Sequence, residues 1–164
     1  MSVSGMFRPG MRAYIIPLVA GLTLAGSAFL PWVNVSGISL TGFPDVLAMW
    51  IVGLGALAAV LATLSLITRK NSRHPLLVIG LAALGIMFLS WQIMPKSVGD
   101  RALTIFQADS IVNETPQAEP PIAAVGVGIY LGLIAAAAIT AFGLTIVVKR
   151  VARPYAVVNR DDDV

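Results

Sequence analysis

Four long apolar runs, separated by more polar stretches, make up most of the chain. These runs are residues 13–33, 46–68, 75–94 and 122–148, and none of them contains Asp, Glu, Lys, Arg or His. A helix needs about 20 mostly apolar residues to cross a bilayer, and a backbone in lipid has to satisfy its hydrogen bonds internally. The pattern therefore predicts an all-α integral membrane protein, a four-transmembrane-helix bundle.

The first apolar run also has features of a secretory signal. Arg8 and Arg12 precede it, and the letters LAGSA at residues 24–28 are similar to a cleavage site. The apolar part of a signal is about 7–15 residues long. This run is longer, so we interpret it as a retained membrane helix.

Basic residues lie mostly on one side of the predicted spans. Of the eleven Lys and Arg, only Lys96 and Arg101 fall between the first and second runs or between the third and fourth. The positive-inside rule then predicts that both termini are cytoplasmic. This gives a cytoplasmic N-terminal segment (residues 1–12), a membrane domain (residues 13–148) and a cytoplasmic tail (residues 149–164). Within the membrane domain, the two outer loops are residues 34–45 and 95–121, and the inner loop is residues 69–74.

The composition agrees with this location. The 164 residues are 57% hydrophobic and 12% charged, whereas a soluble domain has about 25% charged residues. The sequence contains no cysteine, which excludes disulfides, thiolate metal sites and cysteine nucleophiles. Since no feature indicates a eukaryotic source, we expect a multi-pass protein of the bacterial inner membrane.

Small residues recur at helical spacing within three of the predicted spans. The pairs are Gly21 and Ala25, Gly55 and Ala59, and Gly128 and Gly132. Membrane helices associate where small side chains let their backbones approach closely. Two interpretations stay open: these faces pack the bundle internally, or the face of Gly128 and Gly132 docks a helix of another protein.

The stretch between the first two runs predicts a β-hairpin that caps the bundle on the extracytoplasmic side. The apolar residues Val33, Val35, Ile38 and Leu40 alternate with polar ones on either side of Ser36-Gly37. This pattern is typical of two strands joined by a two-residue turn. Pro31 is expected to end the first helix, and Asp45 to cap the N-terminus of the second.

The second outer loop, residues 95–121, is longer and admits two local structures. Asp100 is placed to cap a short helix that turns Leu103, Ile105 and Phe106 toward the membrane surface. Alternatively, Ile111-Val112 adds a strand to the hairpin. We expect an ordered loop, because a connection of this length inside a compact domain is usually functional or disordered and this one contains apolar positions.

No arrangement of residues predicts catalysis. His74 is the single histidine; we interpret it as a solvated residue at the cytoplasmic edge, the alternative being an axial ligand of haem or chlorophyll. The predicted spans lack the charged residues that proton relays and ion pathways use, and Gln92 is their most polar member. We therefore expect a protein that is not an enzyme, with no metal and no cofactor of its own.

The layout resembles that of small bacterial four-helix membrane proteins such as the tryptophan-associated membrane proteins of actinobacteria. The shared element is a Pro-Trp pair that closes the first helix, here Pro31-Trp32. This resemblance implies the four-helix layout and no activity. Claudin-like proteins also place a small β-structure after the first of four helices, but their diagnostic cysteine pair is absent from this chain.

These features favour a non-catalytic accessory or assembly subunit of a larger membrane complex, of the respiratory or photosynthetic kind. Its expected partners are other membrane subunits and lipids, with no nucleic acid, and any haem or pigment would belong to a partner. The predicted contact residues are Trp32, Val35, Ile38, Leu40, Gly128 and Gly132. The alternative is a small homo-oligomeric transporter, channel or lipid-binding protein.

Overall fold

The protein is described here by a computed structural model that covers residues 12–68, 73–113 and 120–151. Most of the predicted N-terminal segment, inner loop and C-terminal tail lies outside these residues. The expectations about them therefore stay predictions.

The described residues form a mostly helical molecule with a small sheet. A short 3-10 helix, Arg12–Tyr14, opens it. The elements that follow are α1 Ile15–Ser27, β1 Pro31–Val35, β2 Ile38–Thr41, α2 Val46–Thr68, α3 Arg73–Asn113, β3 Ala123–Val125 and α4 Val127–Val151. By length and composition, α2, α3 and α4 can each cross a membrane, whereas α1 is a shorter apolar helix.

The first helix ends earlier than the sequence predicts. Helix α1 stops at Ser27, and the predicted last turns of the span are instead a tight turn and the start of β1. The amide of Leu30 donates to the carbonyl of Ser27 (3.2 Å), which closes the helix with a turn. Pro31 disfavours helical geometry in the residue before it. The helix thus ends one turn before Pro31, which was expected to end it. The predicted span reaches residue 33 and is too long, because an apolar strand and an apolar helix end look alike in hydropathy.

The third helix, in contrast, is much longer than predicted. Helix α3 continues through Pro95 and ends only at Asn113, so most of the predicted loop 95–121 is helical. Both local alternatives for that loop are wrong, because neither a separate short helix nor a strand at Ile111-Val112 is present there. The apolar residues beyond Pro95 are spaced to form one helix face, and this face turns toward the sheet.

The predicted hairpin is confirmed. Strands β1 and β2 pair antiparallel, with Val35 opposite Ile38 and Val33 opposite Leu40. Ser36 and Gly37 have positive φ angles of 47° and 86°, as a type I′ turn requires at both central positions.

The sheet has a third strand, β3, that the sequence pattern does not predict. Strand β3 pairs antiparallel with the other side of β1, giving the order β2-β1-β3. Its residues were expected at the start of the fourth span, whose helix begins only at Val127. The run at 123–125 is too short and too apolar to be told from a helix start by pattern alone.

The helices form a closed ring of contacts in which α1 packs on α2 and α4, and α3 packs on α4 and α2. Gly21 and Gly55 bring α1 and α2 into backbone contact. A Cβ placed on Gly21 would lie 2.8 Å from the carbonyl oxygen of Gly55, and one on Gly55 would lie 2.6 Å from the amide nitrogen of Ala25. This pair therefore serves internal packing, as one of the two interpretations predicted.

Polar side chains within the helices bond to their own backbone. The hydroxyls of Ser65, Ser90 and Thr140 each donate to the carbonyl four residues earlier, at 2.8–2.9 Å.

The predicted cap of α2 is also confirmed, because the carboxylate of Asp45 accepts a hydrogen bond from the amide of Leu47 at 2.9 Å. An aspartate cap of this kind is worth about 0.5–2 kcal/mol.

Candidate functional site

Trp32 joins the sheet to the helices and is almost completely buried, with 1% of its surface exposed. Its indole N–H donates to the carbonyl of Ser27 at 2.9 Å. Glycines let the ring fit: a Cβ on Gly42 would lie 2.6 Å from Cδ2 of the ring, and one on Gly128 would lie 2.7 Å from Cδ1. Trp32 thus packs within the chain, and its prediction as a partner contact is corrected.

Gly128 and Gly132 are likewise buried inside the molecule. A Cβ on Gly128 would lie 2.8 Å from the carbonyl oxygen of Ser27, and one on Gly132 would lie 2.9 Å from the Oγ of the same residue and 3.0 Å from the Sδ of Met87. No helix of another protein can reach these glycines while the bundle stays closed. Of the two interpretations, internal packing describes both positions.

The other predicted contact residues lie along an open groove between the hairpin and the part of α3 beyond Pro95. We call it the sheet groove. Its volume is about 640 Å³. Its apolar walls are Val35, Ile38 and Leu40 on the sheet, and Val98, Ala102, Ile105 and Phe106 on α3.

A second depression of about 350 Å³ continues the sheet groove toward the helices. The two share Leu40 and Val98, and the second reaches Met94 and Trp32. The sheet groove therefore runs from the far end of α3 down to the rim of the bundle.

The sheet groove is open because α3 lies over only part of the sheet. Helix α3 packs against β3 and β1, and Val35 on β1 is half-buried. On β2, Ile38 is 68% exposed and Leu40 is 42% exposed, while Ile105 on the opposite wall is 70% exposed. Large apolar side chains are thus exposed on both sides of the opening.

Charged groups lie around this end of the molecule without forming a reactive cluster. Asp109 borders the sheet groove, and Lys96, Asp100 and Arg101 lie exposed on α3. Among the residues with described positions, no three His, Cys, Asp or Glu side chains are grouped so as to hold a metal ion. His74 is exposed in the first turn of α3, at the opposite end of that helix, and its alternative role as a ligand stays a prediction.

A further groove lies between α1 and α4 within the apolar part of the bundle. It has a volume of about 410 Å³ and is lined by apolar residues and one hydroxyl, including Ile15, Val19, Thr23, Ile134 and Ala138. This groove is not predictable from the sequence, because hydropathy gives no information on how two apolar helices diverge.

The wall that α3 contributes to the sheet groove was also missed, although the sequence contains a signal for it. Val98, Ala102, Ile105 and Phe106 follow one another at spacings of four, three and one, which is the pattern of one helix face.

No protein-family model matches the chain, and no similarity to a curated protein or a solved structure was found.

Proposed function

We propose that the chain is a non-catalytic accessory subunit of a larger membrane complex, and that it contacts a partner through the sheet groove. The observation that supports this is the open apolar surface at the sheet end of the bundle. Ile38, Leu40 and Ile105 expose apolar area that is worth about 25 cal/mol per Å² when it is removed from water. An exposed apolar surface lined by a rigid scaffold is typical of an interaction site.

In the proposed arrangement the chain crosses the membrane four times. The 13 residues of α1 rise only about 20 Å, against a hydrocarbon core of about 30 Å. Helix α1 nevertheless packs along both α2 and α4, and the 3-10 helix lengthens it at one end. The tight turn after Ser27 lengthens it at the other, so the four segments together fit one bilayer.

The charge distribution supports an orientation with both termini in the cytoplasm. In the sequence, Lys96 and Arg101 are the only basic residues in the segments that join the first span to the second and the third to the fourth, whereas the other nine Lys and Arg precede the first span, join the second to the third or follow the fourth. The sheet groove would then face outward, in the periplasm or extracellular space of a bacterium.

The test is extraction of the tagged chain from its native membrane in mild detergent, followed by size-exclusion chromatography, mass spectrometry and an absorption spectrum of the same peak. Other subunits should co-elute in fixed ratio. We expect Ile38→Ser to lower the ratio of partner to chain about tenfold, because burial of such a side chain is worth about 1.5–3 kcal/mol.

The matched control is Ile111→Ser. Ile111 is 78% exposed and lies on the face of α3 that points away from the sheet groove, so its replacement should leave the ratio unchanged. A wild-type chain that elutes without any other subunit contradicts the proposal.

A second candidate function, lipid binding, is favoured by the groove between α1 and α4. Its walls match an acyl chain in chemistry, with Thr23 as the polar exception. If other subunits co-elute, lipid binding would make the chain a lipid-dependent member of its complex. If no other subunit co-elutes, the chain would be a homo-oligomeric lipid-binding, transport or channel protein. Native mass spectrometry of the same peak measures both the bound lipid and the copy number.

A further inference from the structure

We infer that the groove between α1 and α4 binds one anionic phospholipid, with an acyl chain between the two helices and the phosphate at their basic ends, beside Arg12 and Lys149. We call this groove the lipid groove. The inference rests on the second candidate function, lipid binding, and names the class of lipid. In the proposed orientation this lipid belongs to the cytoplasmic leaflet.

The walls of the lipid groove are those of an acyl-chain site. The α1 wall runs from Ile15 to Thr23, a stretch of helix that rises about 12 Å along the bilayer. Ile16 and Ile134 are exposed at its two rims, whereas Ala20 and Ala135 are buried at its floor. The lipid groove is therefore a slot between branched side chains, open toward the lipid.

An aromatic pair and a cation mark the level at which the apolar walls end. Tyr14, next to Ile15, packs edge-on against Phe142, with ring centroids 5.0 Å apart. Phe142 lies one turn beyond Ala138 of the α4 wall, and Cζ of Arg73 lies 5.5 Å from the centroid of its ring. A guanidinium at this level is typical of the place where the hydrocarbon core gives way to the headgroups.

Both helices of the lipid groove continue into a basic residue at this end. Arg12 opens the 3-10 helix, three residues before Ile15. Lys149 follows Ala138 on α4 by eleven residues, which is about three helical turns and therefore the same face of the helix. Residues 12–27 and 127–151 contain no Asp or Glu. No acid on either helix thus neutralises the two cations.

A phospholipid matches both parts of this site. Its phosphate is attracted by Lys and Arg at the membrane surface. Its acyl chain needs no hydrogen bonds, and the lining offers none except at the hydroxyl of Thr23. A lipid with a zwitterionic headgroup would gain from the apolar walls alone. The lipid groove therefore selects an anionic headgroup.

A helix from a second copy of the chain would bring the wrong charge to this site. All copies point the same way across the membrane, because the same basic residues orient each of them. Every membrane helix of the chain has basic residues at this end, namely Arg12 before α1, Arg69 and Lys70 after α2, Arg73 in α3 and Lys149 in α4. Whichever helix entered the lipid groove would place a cation beside those already there, and like charges repel.

The chain's own residues outside the described ranges are also unsuited to the lipid groove. At this end they are residues 1–11, 69–72 and 152–164. None of these segments contains an apolar run as long as the α1 wall, so a helix formed from them would put polar groups against it. An extended segment would leave main-chain N–H and C=O groups unpaired in lipid, which is costly. The aspartates at 161–163 could approach the cations but would leave the apolar walls uncovered.

The test is native mass spectrometry of the tagged chain, extracted in mild detergent with any co-eluting subunits. Dioleoyl phosphatidylglycerol and dioleoyl phosphatidylcholine are added in equal amounts, so that the two lipids differ only in the headgroup. We expect the wild type to retain one phosphatidylglycerol and to prefer it about tenfold, because two basic residues act on its headgroup. The double variant Arg12→Gln with Lys149→Gln should lose this preference.

The matched control is Arg69→Gln with Lys70→Gln. It removes the same charge from the loop between α2 and α3, which lie across the ring of helices from the α1–α4 contact, and should leave the preference unchanged.

A second pair of variants tests the acyl-chain part. Ala138→Phe fills the lipid groove and should lower the retention of both lipids. Ala137→Phe, at an exposed position of α4 outside the lipid groove, should leave retention unchanged. Thermal unfolding in the same detergent checks that all variants fold, and the charge variants decide the headgroup assignment even if Ala138→Phe does not.

Each contrary outcome overturns the inference in a distinguishable way. If the wild type retains both lipids equally, acyl chains bind but the headgroup assignment is wrong. If the control pair abolishes the preference instead, the anionic lipid binds at the inner loop. If a second copy or another subunit replaces the lipid, the occupant is a protein. If neither lipid is retained, lipid binding and the inference fail together, while co-elution of subunits still decides the accessory role.

Discussion

Gly21 and Gly55 fix the distance between α1 and α2, because each backbone lies where the other's Cβ would be. Lipid tails are as apolar as the helix surfaces, so the hydrophobic effect does not drive helices together in a membrane. Close backbone approach is therefore a main source of their association. The same residue type has no such role at Gly53, where a Cβ would meet nothing within 4 Å. The two kinds of glycine on α2 are therefore not equivalent.

We predict that Gly21→Ala lowers the free energy of unfolding by about 1–3 kcal/mol, the usual cost of an overpacked methyl group. The atoms that would clash belong to the backbone of α2, which cannot turn aside. Gly53→Ala is the matched control and should be neutral or stabilising by up to about 1 kcal/mol. Thermal unfolding in one detergent measures both. Equal stability of the two variants would contradict the close approach.

The sequence predicts local structure well at positions where one residue type has one physical use. The cap at Asp45 and the turn at Ser36-Gly37 were both predicted, since capping and positive φ select few residues. Trp32 shows the limit of such reasoning. Its apolar neighbours and its place at a span end are equally typical of an exposed interfacial tryptophan, and only the glycines packed on its ring identify it as buried.

The stability of the β1–β2 hairpin depends on the turn that joins its two strands. Gly37 has a φ of 86°, and a side chain in the left-handed region costs roughly 1–2 kcal/mol. We predict that Gly37→Ala opens the β1–β2 pairing, so that the amides of Ile38 and Leu40 exchange about 5- to 30-fold faster.

Ser36→Asn is the opposite variant in the same experiment. Asparagine followed by glycine is the preferred pair for this turn, so exchange of the same amides should slow. Hydrogen exchange with mass spectrometry, resolved over the hairpin, distinguishes the two. Faster exchange in Ser36→Asn would show that the turn is not of the type I′ geometry.

The element boundaries are where the sequence was least informative. Apolar length predicts that a segment is a helix in lipid, but α1 ends at Ser27 and β3 precedes α4, both inside apolar runs. At α3 the predicted span is too short instead, because it stops at residue 94 while the helix continues through Pro95 to Asn113. Proline disfavours helix at the preceding residue, and here packing of the Val98 and Phe106 face against the sheet outweighs that preference.

At the scale of the whole molecule, the proposed orientation can be measured directly because the chain has no cysteine of its own. We predict that Gln107→Cys, on the exposed face of α3, reacts with a membrane-impermeant maleimide in intact cells. His74→Cys, at the opposite end of the same helix, should react only after the membrane is opened.

These two positions control for each other, since both are exposed residues of one helix and differ only in the end they mark. Labelling of His74→Cys in intact cells with Gln107→Cys silent would reverse the orientation. Labelling of both before the membrane is opened would mean that α3 does not cross it.

The continuity of α3 has a mechanical consequence for the sheet groove. The helix passes from the bundle to its far end without a break, and Pro95 lies where the two parts meet. Proline leaves one carbonyl of the preceding turn unbonded, which makes this the softest point of the helix. A bend of about 10° there would move the tip of the following 18 residues, 96–113, by about 5 Å. A bend at Pro95 would therefore change the width of the sheet groove more at Ile105 than at Val98, which lies closer to the proline.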